Sequence, residues 1–215
     1  GVCDACPVTY TYDWSNGATV LGTYGGNITA ANVDGVLELT EDPLNGTPQA
    51  FIAAVSGLSG GETIEVCVDL MGSADEDAKG RLWGHYFDGD DPTHYGGSAS
   101  GSSSYGDDWG NWKTECHTWT VAAGETGFTL EIRVYSYNDG GVVGVDNLSV
   151  TTTGTVHFPE PYVDPCTDVD CSGNVSDCIA SSCVDGACVD TYNAVDTVCD
   201  DEDAGTENDV CDGAG

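Results

Sequence analysis

Hydrophobic and polar residues alternate with a period of two through most of residues 8–153. This alternation is typical of β-strands with one face in a core, because successive side chains of a strand point to opposite faces of the sheet. Gly, Asn and Asp interrupt the pattern at short intervals, which indicates turns. About nine strands are predicted, over residues 8–13, 18–23, 36–40, 50–55, 63–70, 81–87, 115–121, 128–137 and 142–151. The sequence therefore predicts an all-β fold built as an antiparallel sandwich.

The alternation also assigns two cysteines to outward faces. In the predicted strand 63–70 the aliphatic residues share one face, so Cys67 points to the opposite face. In the strand 115–121 the core face is indicated by Trp119, which places Cys116 outward as well. A cross-strand disulfide between Cys67 and Cys116 is therefore predicted, provided that the two strands are neighbours.

The charge of the chain restricts its partners. Its 215 residues include 37 acidic and 4 basic ones, which gives a formal net charge of −33. Binding to nucleic-acid phosphates or to anionic membranes through a basic surface needs clustered Lys and Arg, so the composition argues against both. No run of roughly 18 apolar residues is present, so membrane insertion is not expected. Hydrophobic residues make up 40% of the chain, which is enough for a core under an acidic surface.

The cysteines separate two regions. Of the 11 cysteines, seven lie in residues 166–215, where bulky apolar residues are almost absent. This density predicts a small module held by disulfides, and it implies an extracellular or cell-surface location. Metal–thiolate sites are the competing interpretation, but the region has no Cys-x-x-Cys pair and no His. Because 11 is odd, one thiol is left over or bonds another chain.

Shifts in composition predict four segments. Residues 1–7 are a Cys-containing N-terminal segment, residues 8–153 the sandwich, residues 154–165 a Pro-rich linker, and residues 166–215 the Cys-rich acidic module. The module opens with Cys166-Thr167-Asp168-Val169-Asp170-Cys171, which resembles the Cys-Thr-x-Asp repeats of extracellular matrix and surface proteins. The resemblance implies a connector whose disulfide connectivity the sequence leaves open.

The sandwich segment carries a second resemblance. Short apolar strands such as Arg81-Leu82-Trp83-Gly84-His85-Tyr86 and Thr118-Trp119-Thr120-Val121 lead to a closing Val145-Asp146-Asn147-Leu148-Ser149-Val150. This cadence resembles the jelly-roll accessory domains of secreted bacterial proteins, which are similar to galactose-binding-like carbohydrate-binding modules. The resemblance implies an antiparallel jelly-roll β-sandwich with polysaccharide as a partner.

Calcium is the expected cofactor, at two places. The jelly-roll family commonly holds a structural calcium ion between the first strand and the Asp of the last strand, and the matching positions are Asp13 and Asp146. Asp146 is in phase with Leu148, which should face inward, and an inward carboxylate must be hydrogen-bonded or metal-bound. The alternative for Asp146 is a carboxylate that caps a turn. In the Cys-rich module, Asp168 and Asp170 match the opening of an EF-hand-like loop that lacks its final Glu.

Aromatic residues supply the candidates for ligand binding. Sugars stack on flat aromatic rings while a few polar groups take their hydroxyls. A long Gly- and Ser-rich loop contains Tyr95, Trp109 and Trp112, which are predicted to bind the ligand. A second candidate is the outward strand face that carries Tyr135 and Tyr137, together with Arg133 and Glu131.

Large aromatic residues also dominate protein cores, so Trp83 and Trp119 are interpreted as core residues. Exposed Trp and Tyr are equally typical of subunit interfaces. A contact between copies of the chain is therefore an alternative to a sugar platform.

The two ends of the chain suggest such a contact. Joined end to start, Cys211 precedes Cys3 by six residues, the gap that also separates Cys171 from Cys178. Cys3, Cys6 and Cys211 are therefore candidate intersubunit cysteines of a head-to-tail or tandem assembly. The alternative is coincidence between two ends of low complexity.

The sequence contains no arrangement typical of an active site. It lacks a His-Glu-x-x-His pattern, a Gly-x-Ser-x-Gly elbow and a phosphate-binding loop. We therefore expect a non-catalytic extracellular protein, primarily a repeat or self-assembling subunit of a surface fibre or matrix stabilised by disulfides and calcium. The alternative is a carbohydrate-binding module of a secreted enzyme or adhesin.

Overall fold

A computed structural model describes residues 6–138, 140–160, 169–171, 178–184, 187–195, 197–198 and 210–211. The chain divides into two compact units, Gly1–Pro161 and Tyr162–Gly215. The predicted division into four segments, with its finer boundaries, stays a prediction. In the described part of the chain there is no helix long and apolar enough to cross a membrane.

The described residues form strands and no helices, as the sequence predicts. The strands of the first unit are β1 (Val8–Tyr12), β2 (Gly22–Tyr24), β3 (Ile28–Val33), β4 (Val36–Glu41), β5 (Gln49–Ser56), β6 (Thr63–Met71), β7 (Ala78–Asp88), β8 (Asp91–Gly101), β9 (Trp112–Thr120), β10 (Gly127–Ser136), β11 (Val142–Thr152) and β12 (Thr155–His157). The strands of the second unit are β13 (Ile179–Val184) and β14 (Ala187–Tyr192).

Two antiparallel sheets make up the first unit. The first sheet has the order β3-β4-β11-β6-β9, with β1 also paired to β11. The second sheet has the order β12-β5-β10-β7-β8, with β2 also paired to β5. Neighbours in these orders are mostly distant in sequence, as in a jelly roll. The predicted all-β, antiparallel jelly-roll sandwich with a small disulfide-rich module is confirmed.

The core lies between the inner faces of the two sheets. It is filled by alternate residues of the central strands, including Leu37, Ile64, Leu82, Leu130 and Val150, all without solvent exposure. Trp119 belongs to this core, as predicted, whereas Trp83 does not. The interpretation of Trp83 as a core residue is wrong, because it shares its face of β7 with charged neighbours rather than with Leu82.

The stretch of residues 88–112, predicted as a long loop, contains strand β8. This strand is built largely from Gly, Ser and polar residues and pairs with β7 at the edge of the second sheet. Ala99 packs against the core, but the other residues of β8 form no continuous apolar face, and backbone hydrogen bonds are enough to pair the strand. The hydrophobic pattern therefore carries no signal for it.

A β-bulge interrupts β11 at the predicted calcium ligand. The register with β6 shifts between Asp146 and Ser149, and Asn147 adopts a left-handed backbone conformation with φ of 49°. Val145 and Leu148 are therefore both buried, although they are three residues apart. Asp146 is half-buried at the bulge, so its predicted inward phase with Leu148 is wrong, because the extra residue resets the alternation.

Disulfides join residues within the chain. Cys67 and Cys116 are directly opposite each other on β6 and β9 and form a disulfide with a Cα–Cα distance of 4.1 Å. In the second unit, disulfides join Cys171 to Cys188 and Cys178 to Cys211.

Two of the predicted intersubunit cysteines can be placed. Cys211 is bonded to Cys178 with a Cα–Cα distance of 5.4 Å, so the prediction of an intersubunit role for Cys211 is corrected. Cys6 is exposed just before β1. The third candidate, Cys3, lies outside the described residues.

Candidate functional site

The outer face of the second sheet carries an unusual set of side chains. Along β7, small and apolar residues alternate with the outward-facing residues Lys79, Arg81 and Trp83. The register with β10 places Tyr135 opposite Lys79, and Arg133 opposite Arg81. Basic and aromatic side chains of two adjacent strands therefore meet on one surface.

One part of this outer face is covered by the start of β8. The Thr129 hydroxyl donates a hydrogen bond to the Pro92 carbonyl, and the Tyr95 ring lies 5.1 Å from His85. Phe51 packs edge-on against the same His85 at 4.9 Å. His85, Thr129 and Phe51 are consequently buried although they point away from the main core.

Glu131 connects the covered part to the open part. Its carboxylate is fully buried, 3.4 Å from His85 Nδ1 and 3.1 Å from Arg133 Nη2. Both the Nε and the Nη2 groups of Arg133 donate to the same Glu131 oxygen. A buried carboxylate with these contacts fixes the Arg133 guanidinium on the sheet surface.

The open part is called here the aromatic–cationic patch. It consists of Lys79, Arg81, Trp83, Tyr105, Arg133, Tyr135 and Tyr137. The guanidinium carbons of Arg133 and Arg81 lie 4.0 and 4.6 Å from the Trp83 ring centre. These distances are typical of cation–π contacts. The opposite neighbour of Trp83 is Gly101, where a Cβ would collide with the indole ring. Trp83 therefore serves as a fixed support for two arginines.

Tyr105 is the second organising residue of the patch. It follows β8 in a segment that runs beside β7, where Gly106 donates a backbone hydrogen bond to Gly80. Its hydroxyl accepts a hydrogen bond from Arg81 Nη1 at 3.3 Å, and its ring lies 4.4 Å from Lys79 Nζ. The Tyr135 ring packs against it at 5.3 Å in a T-shaped arrangement.

Lys79 remains charged in this environment. A hydrogen bond to Tyr137 raises the pKa of the Lys79 ammonium above its ordinary value, and partial burial lowers it by less. Tyr137 itself is 55% exposed, so its ring is accessible to a ligand. The patch thus combines an accessible ring with fixed hydrogen-bond donors.

A separate pocket of about 380 Å³ lies between β1 and the bulge of β11. Its lining includes Thr11, Tyr12, Asp13, Asn147 and Ser149. The Tyr12 ring is stacked on Phe158 at 4.8 Å, and its hydroxyl donates to Asn16 and to the Pro159 carbonyl. The pocket therefore offers polar groups, and one face of its tyrosine ring is already covered by Phe158.

Carboxylates are concentrated beside this pocket. Partial burial raises the pKa of Asp146, and the charges of Asp13 and Asp69 add to the increase. Asp13 instead has a lowered pKa, because the Ser15 hydroxyl and backbone donate hydrogen bonds to it. Oxygen ligands and excess negative charge suit calcium. However, no three His, Cys, Asp or Glu side chains of the described residues are grouped to hold a metal.

The predicted ligand-binding residues fall in three places. Tyr135 and Tyr137 belong to the aromatic–cationic patch. Tyr95 lies over the covered part of the second sheet, 6.4 Å from the Tyr24 ring. Trp109 and Trp112 lie elsewhere, beside Gly72 after β6 and beside Gly144 of the first sheet, respectively. The structure therefore does not bring the five residues together.

The predicted calcium ligands of the second unit cannot be joined into a site. Asp168 lies outside the described residues. Asp170 is exposed, and its backbone carbonyl is 4.0 Å from the Cys188 sulfur. The EF-hand-like loop therefore stays a prediction.

Sequence reasoning missed four residues of the patch. Lys79, Arg81 and Trp83 alternate in a single strand, which is a signal that they share a face. Tyr105 gave no such signal, because its position depends on how the segment after β8 returns along β7.

No protein-family model and no curated protein sequence matches the chain. Several solved structures are similar to it. BiXyn10A CBM1 in its apo form is 13% identical, with a TM-score of 0.42 over 66% of this chain and 96% of that chain. The CBM22-1–GH10 modules of Clostridium thermocellum xylanase 10B, complexed with xylohexaose, are 13% identical, with a TM-score of 0.45 over 76% of this chain and 31% of that one.

A third structure is the CBM22-1 xylan-binding domain of Paenibacillus barcinonensis Xyn10C. It is 10% identical, with a TM-score of 0.39 over 71% of this chain and 99% of that chain. The chain thus matches less than a third of the length of the xylanase modules and nearly all of the single binding modules. The function of the chain has to be argued from its own residues.

Proposed function

We propose that the chain is a non-catalytic, extracellular carbohydrate-binding protein that holds a polysaccharide on the aromatic–cationic patch. The observation that carries this proposal is the arrangement of Tyr135, Tyr137 and Tyr105 beside the fixed donors Arg81 and Lys79. Rings supply the apolar face on which a sugar stacks, and the donors bind its hydroxyl groups. The disulfides of both units support an extracellular location.

The patch suits a polymer better than the β1–β11 pocket does. A polysaccharide needs an open surface along which several sugar units can lie, and β7 and β10 present one. The pocket is bounded by the bulge of β11, and its tyrosine, Tyr12, is already stacked on Phe158. Rigid support also favours the patch, because Trp83 and Glu131 hold the arginines before any ligand arrives.

Affinity electrophoresis tests the proposal. The wild-type protein is run through native gels that contain xylan, β-glucan, galactan or polygalacturonate, and its mobility is compared with that in a plain gel. We expect retardation in at least one gel, and a large loss of retardation in Tyr137→Ala. Tyr192→Ala removes a tyrosine of similar exposure, 49%, from the second unit and is the matched control.

Two results would contradict the proposal. One is the absence of retardation by any of the polysaccharides for the folded wild-type protein. The other is retardation that survives Tyr137→Ala but is lost in Trp112→Ala, because this would place the site on the first sheet, where Trp112 begins β9. Folding of each variant is checked by its near-ultraviolet circular dichroism spectrum.

Calcium remains a proposal for Asp13 and Asp146. It is supported by the mutual charge repulsion of Asp13, Asp69 and Asp146, and by the carboxylate oxygens that these residues offer as ligands. Two of these carboxylates would be expected to hold the ion together with backbone or water oxygens, and its role would be to stabilise the junction of β1 and β11. The Cys-rich repeat as a connector and the self-assembling fibre also remain predictions.

A further inference from the structure

The four basic residues of the chain are collected in one region. Lys79 and Arg81 lie on β7, Arg133 on β10 and Lys113 on β9. Lys113 Nζ donates to the Tyr105 carbonyl at 2.8 Å, so three of the four cations contact Tyr105. We infer that the patch binds an anionic group of its ligand, so that the ligand class is an acidic polysaccharide. This inference rests on the proposed function.

The charges of these four residues are not equally compensated. Lys113 is 2.9 Å from Glu115 and 3.3 Å from Asp107, and Arg133 is paired with Glu131. Within the described residues, no carboxylate oxygen lies within 4.0 Å of a side-chain nitrogen of Lys79 or Arg81. Among the described residues, the positive charges of Lys79 and Arg81 therefore lack an ion-pair partner, although the negative charge of Asp107 acts on Lys79 from a greater distance.

The arrangement of like charges is unfavourable for folding. Arg81 is directly opposite Arg133 in the sheet, and Lys79 is two residues from Arg81 on the same face. Like charges in directly opposite positions destabilise a sheet. Cation–π contacts with Trp83 and Tyr105 hold the cations without neutralising them. An anion from outside the chain would relieve the repulsion.

Arg81 has the donors that such an anion needs. Its Nε donates to the Ser102 carbonyl at 2.6 Å and its Nη1 to the Tyr105 hydroxyl at 3.3 Å. A guanidinium has five N–H donors, so three are left without a partner in the described part of the chain. The paired N–H groups of a guanidinium match the oxygens of a carboxylate or a sulfate ester. A uronic acid or a sulfated sugar supplies such oxygens.

The net charge of the chain determines how binding of an acidic polysaccharide should depend on salt. At −33 the protein as a whole repels a polyanion, and this repulsion extends about 30 Å at 0.01 M salt but only about 8 Å at 0.15 M. Contacts with the patch act over hydrogen-bond distances and are screened much less. We expect affinity for an acidic polysaccharide to rise between these two salt concentrations, which is the opposite of binding to a broadly basic surface.

The test uses pairs of polysaccharides that share a sugar backbone, of which one member carries anionic groups and the other does not. Polygalacturonate is compared with its methyl ester, and dextran sulfate with dextran, by affinity electrophoresis at 0.15 M salt with EDTA. Wild type is compared with Arg81→Gln, and Thr120→Glu is the matched control. Both variants make the net charge more negative by one, but Thr120 is exposed on β9 of the first sheet.

We expect retention of polygalacturonate, dextran sulfate or both, with no retention of the uncharged partner. Arg81→Gln should weaken the affinity about tenfold or more, because a hydrogen bond to a charged group is lost, and Thr120→Glu should leave it unchanged. If only one polymer is retained, it identifies the anionic group as carboxylate or sulfate, and retention of both shows that the patch accepts either group.

Three results would overturn the inference. Equal retention of charged and uncharged partners would contradict it and leave the proposed function standing, whereas retention of no polysaccharide would contradict both. The gels are also run with calcium in place of EDTA. Retention that appears only in calcium and persists in Arg81→Gln would show that metal ions bridge two acidic polymers, and it would also overturn the inference.

Discussion

The two sheets of the sandwich both have apolar inner faces, but their outer faces carry charged residues of opposite sign. The outer face of the first sheet carries Glu38, Glu65 and Asp69, and the Cys67–Cys116 disulfide crosses it. The outer face of the second sheet carries the aromatic–cationic patch. The fourth basic residue, Lys113, is on the first sheet but shares the face of Trp119, so no described Lys or Arg is on the acidic outer face.

This difference separates what the fold requires from what the chain does. Both inner faces need apolar residues at alternate positions, whereas neither outer face needs any particular charge. With 37 acidic residues, the chain has enough surface charge to stay soluble without any Lys or Arg in its strands. The placement of Lys79, Arg81 and Arg133 on one face therefore calls for a functional explanation.

The largest effect is expected from the buried carboxylate of the patch. Glu131→Ala leaves Arg133 and His85 without their partner, and we expect the free energy of unfolding to fall by about 3–5 kcal/mol. Urea denaturation measures this change. Glu131→Gln keeps the volume and separates the lost charge from the cavity.

The matched control for Glu131 is on the other face. Glu65 is exposed on β6, and Glu65→Ala should change the stability by no more than about 0.5 kcal/mol. Equal effects of the two alanine variants would mean that the two outer faces do not differ in the way described.

The disulfide of the first sheet has the next largest expected effect. Cys67 and Cys116 are 49 residues apart, and the bond restricts the unfolded chain. Replacing both by Ser should lower the stability by about 2–4 kcal/mol and leave polysaccharide retention unchanged, because the bond lies on the opposite sheet. Loss of retention in a folded double variant would contradict the assignment of the site to the second sheet.

A smaller effect is expected at the support of the arginines. Gly101→Ala would displace both the Leu82 carbonyl of β7 and the Trp83 ring, because the added Cβ collides with each of them. We expect weaker retention of polysaccharide together with a loss of stability. Gly97→Ala is the control, since the space around Gly97 is open. Identical retention of wild type and Gly101→Ala would show that Trp83 does not position the arginines.

The smallest effect is expected in the pH dependence of the stability, through Asp146 on β11. The pKa of Asp146 in the folded state is above the ordinary 3.8, so the folded state holds its proton more tightly and stability falls as pH rises through this window. Asp146→Asn should therefore be more stable than wild type at pH 7 and equal to it below pH 3.8.

In calcium, wild type should become more stable than Asp146→Asn. If an ion binds between Asp13 and Asp146, millimolar calcium will raise the melting temperature of wild type and leave Asp146→Asn unchanged. A melting temperature of wild type that is the same in calcium and in EDTA would contradict the calcium proposal.

Much of the fold could be predicted, because alternation reports which side chains enter a core. It located most strands of both sheets and placed Trp119 inside. It failed at β8, which has no continuous apolar face, and at Asp146, where one extra residue in a bulge reverses the phase. Neither feature changes the local composition, so neither has a sequence signal of its own.

The candidate site was predicted only in part. Tyr135 and Tyr137 were found because they alternate with core residues in β10. Trp83 was assigned to the core by its size, although its phase in β7 is that of Arg81. Arg133 lies opposite Arg81 because of the register between β7 and β10. The residue pattern of a single strand does not determine its register with a neighbouring strand.

The most direct test of the site is a ¹H–¹⁵N spectrum recorded while an oligosaccharide is added. The oligosaccharide is taken from the polysaccharide that retards the wild type, and the indole N–H signals of Trp83 and Trp112 report on the second and the first sheet. We expect shifts of the Trp83 indole and of backbone amides in β7 and β10, with the Trp112 indole unchanged. Shifts confined to Trp112, or to Asp13 and Asn147 beside the β1–β11 pocket, would contradict it.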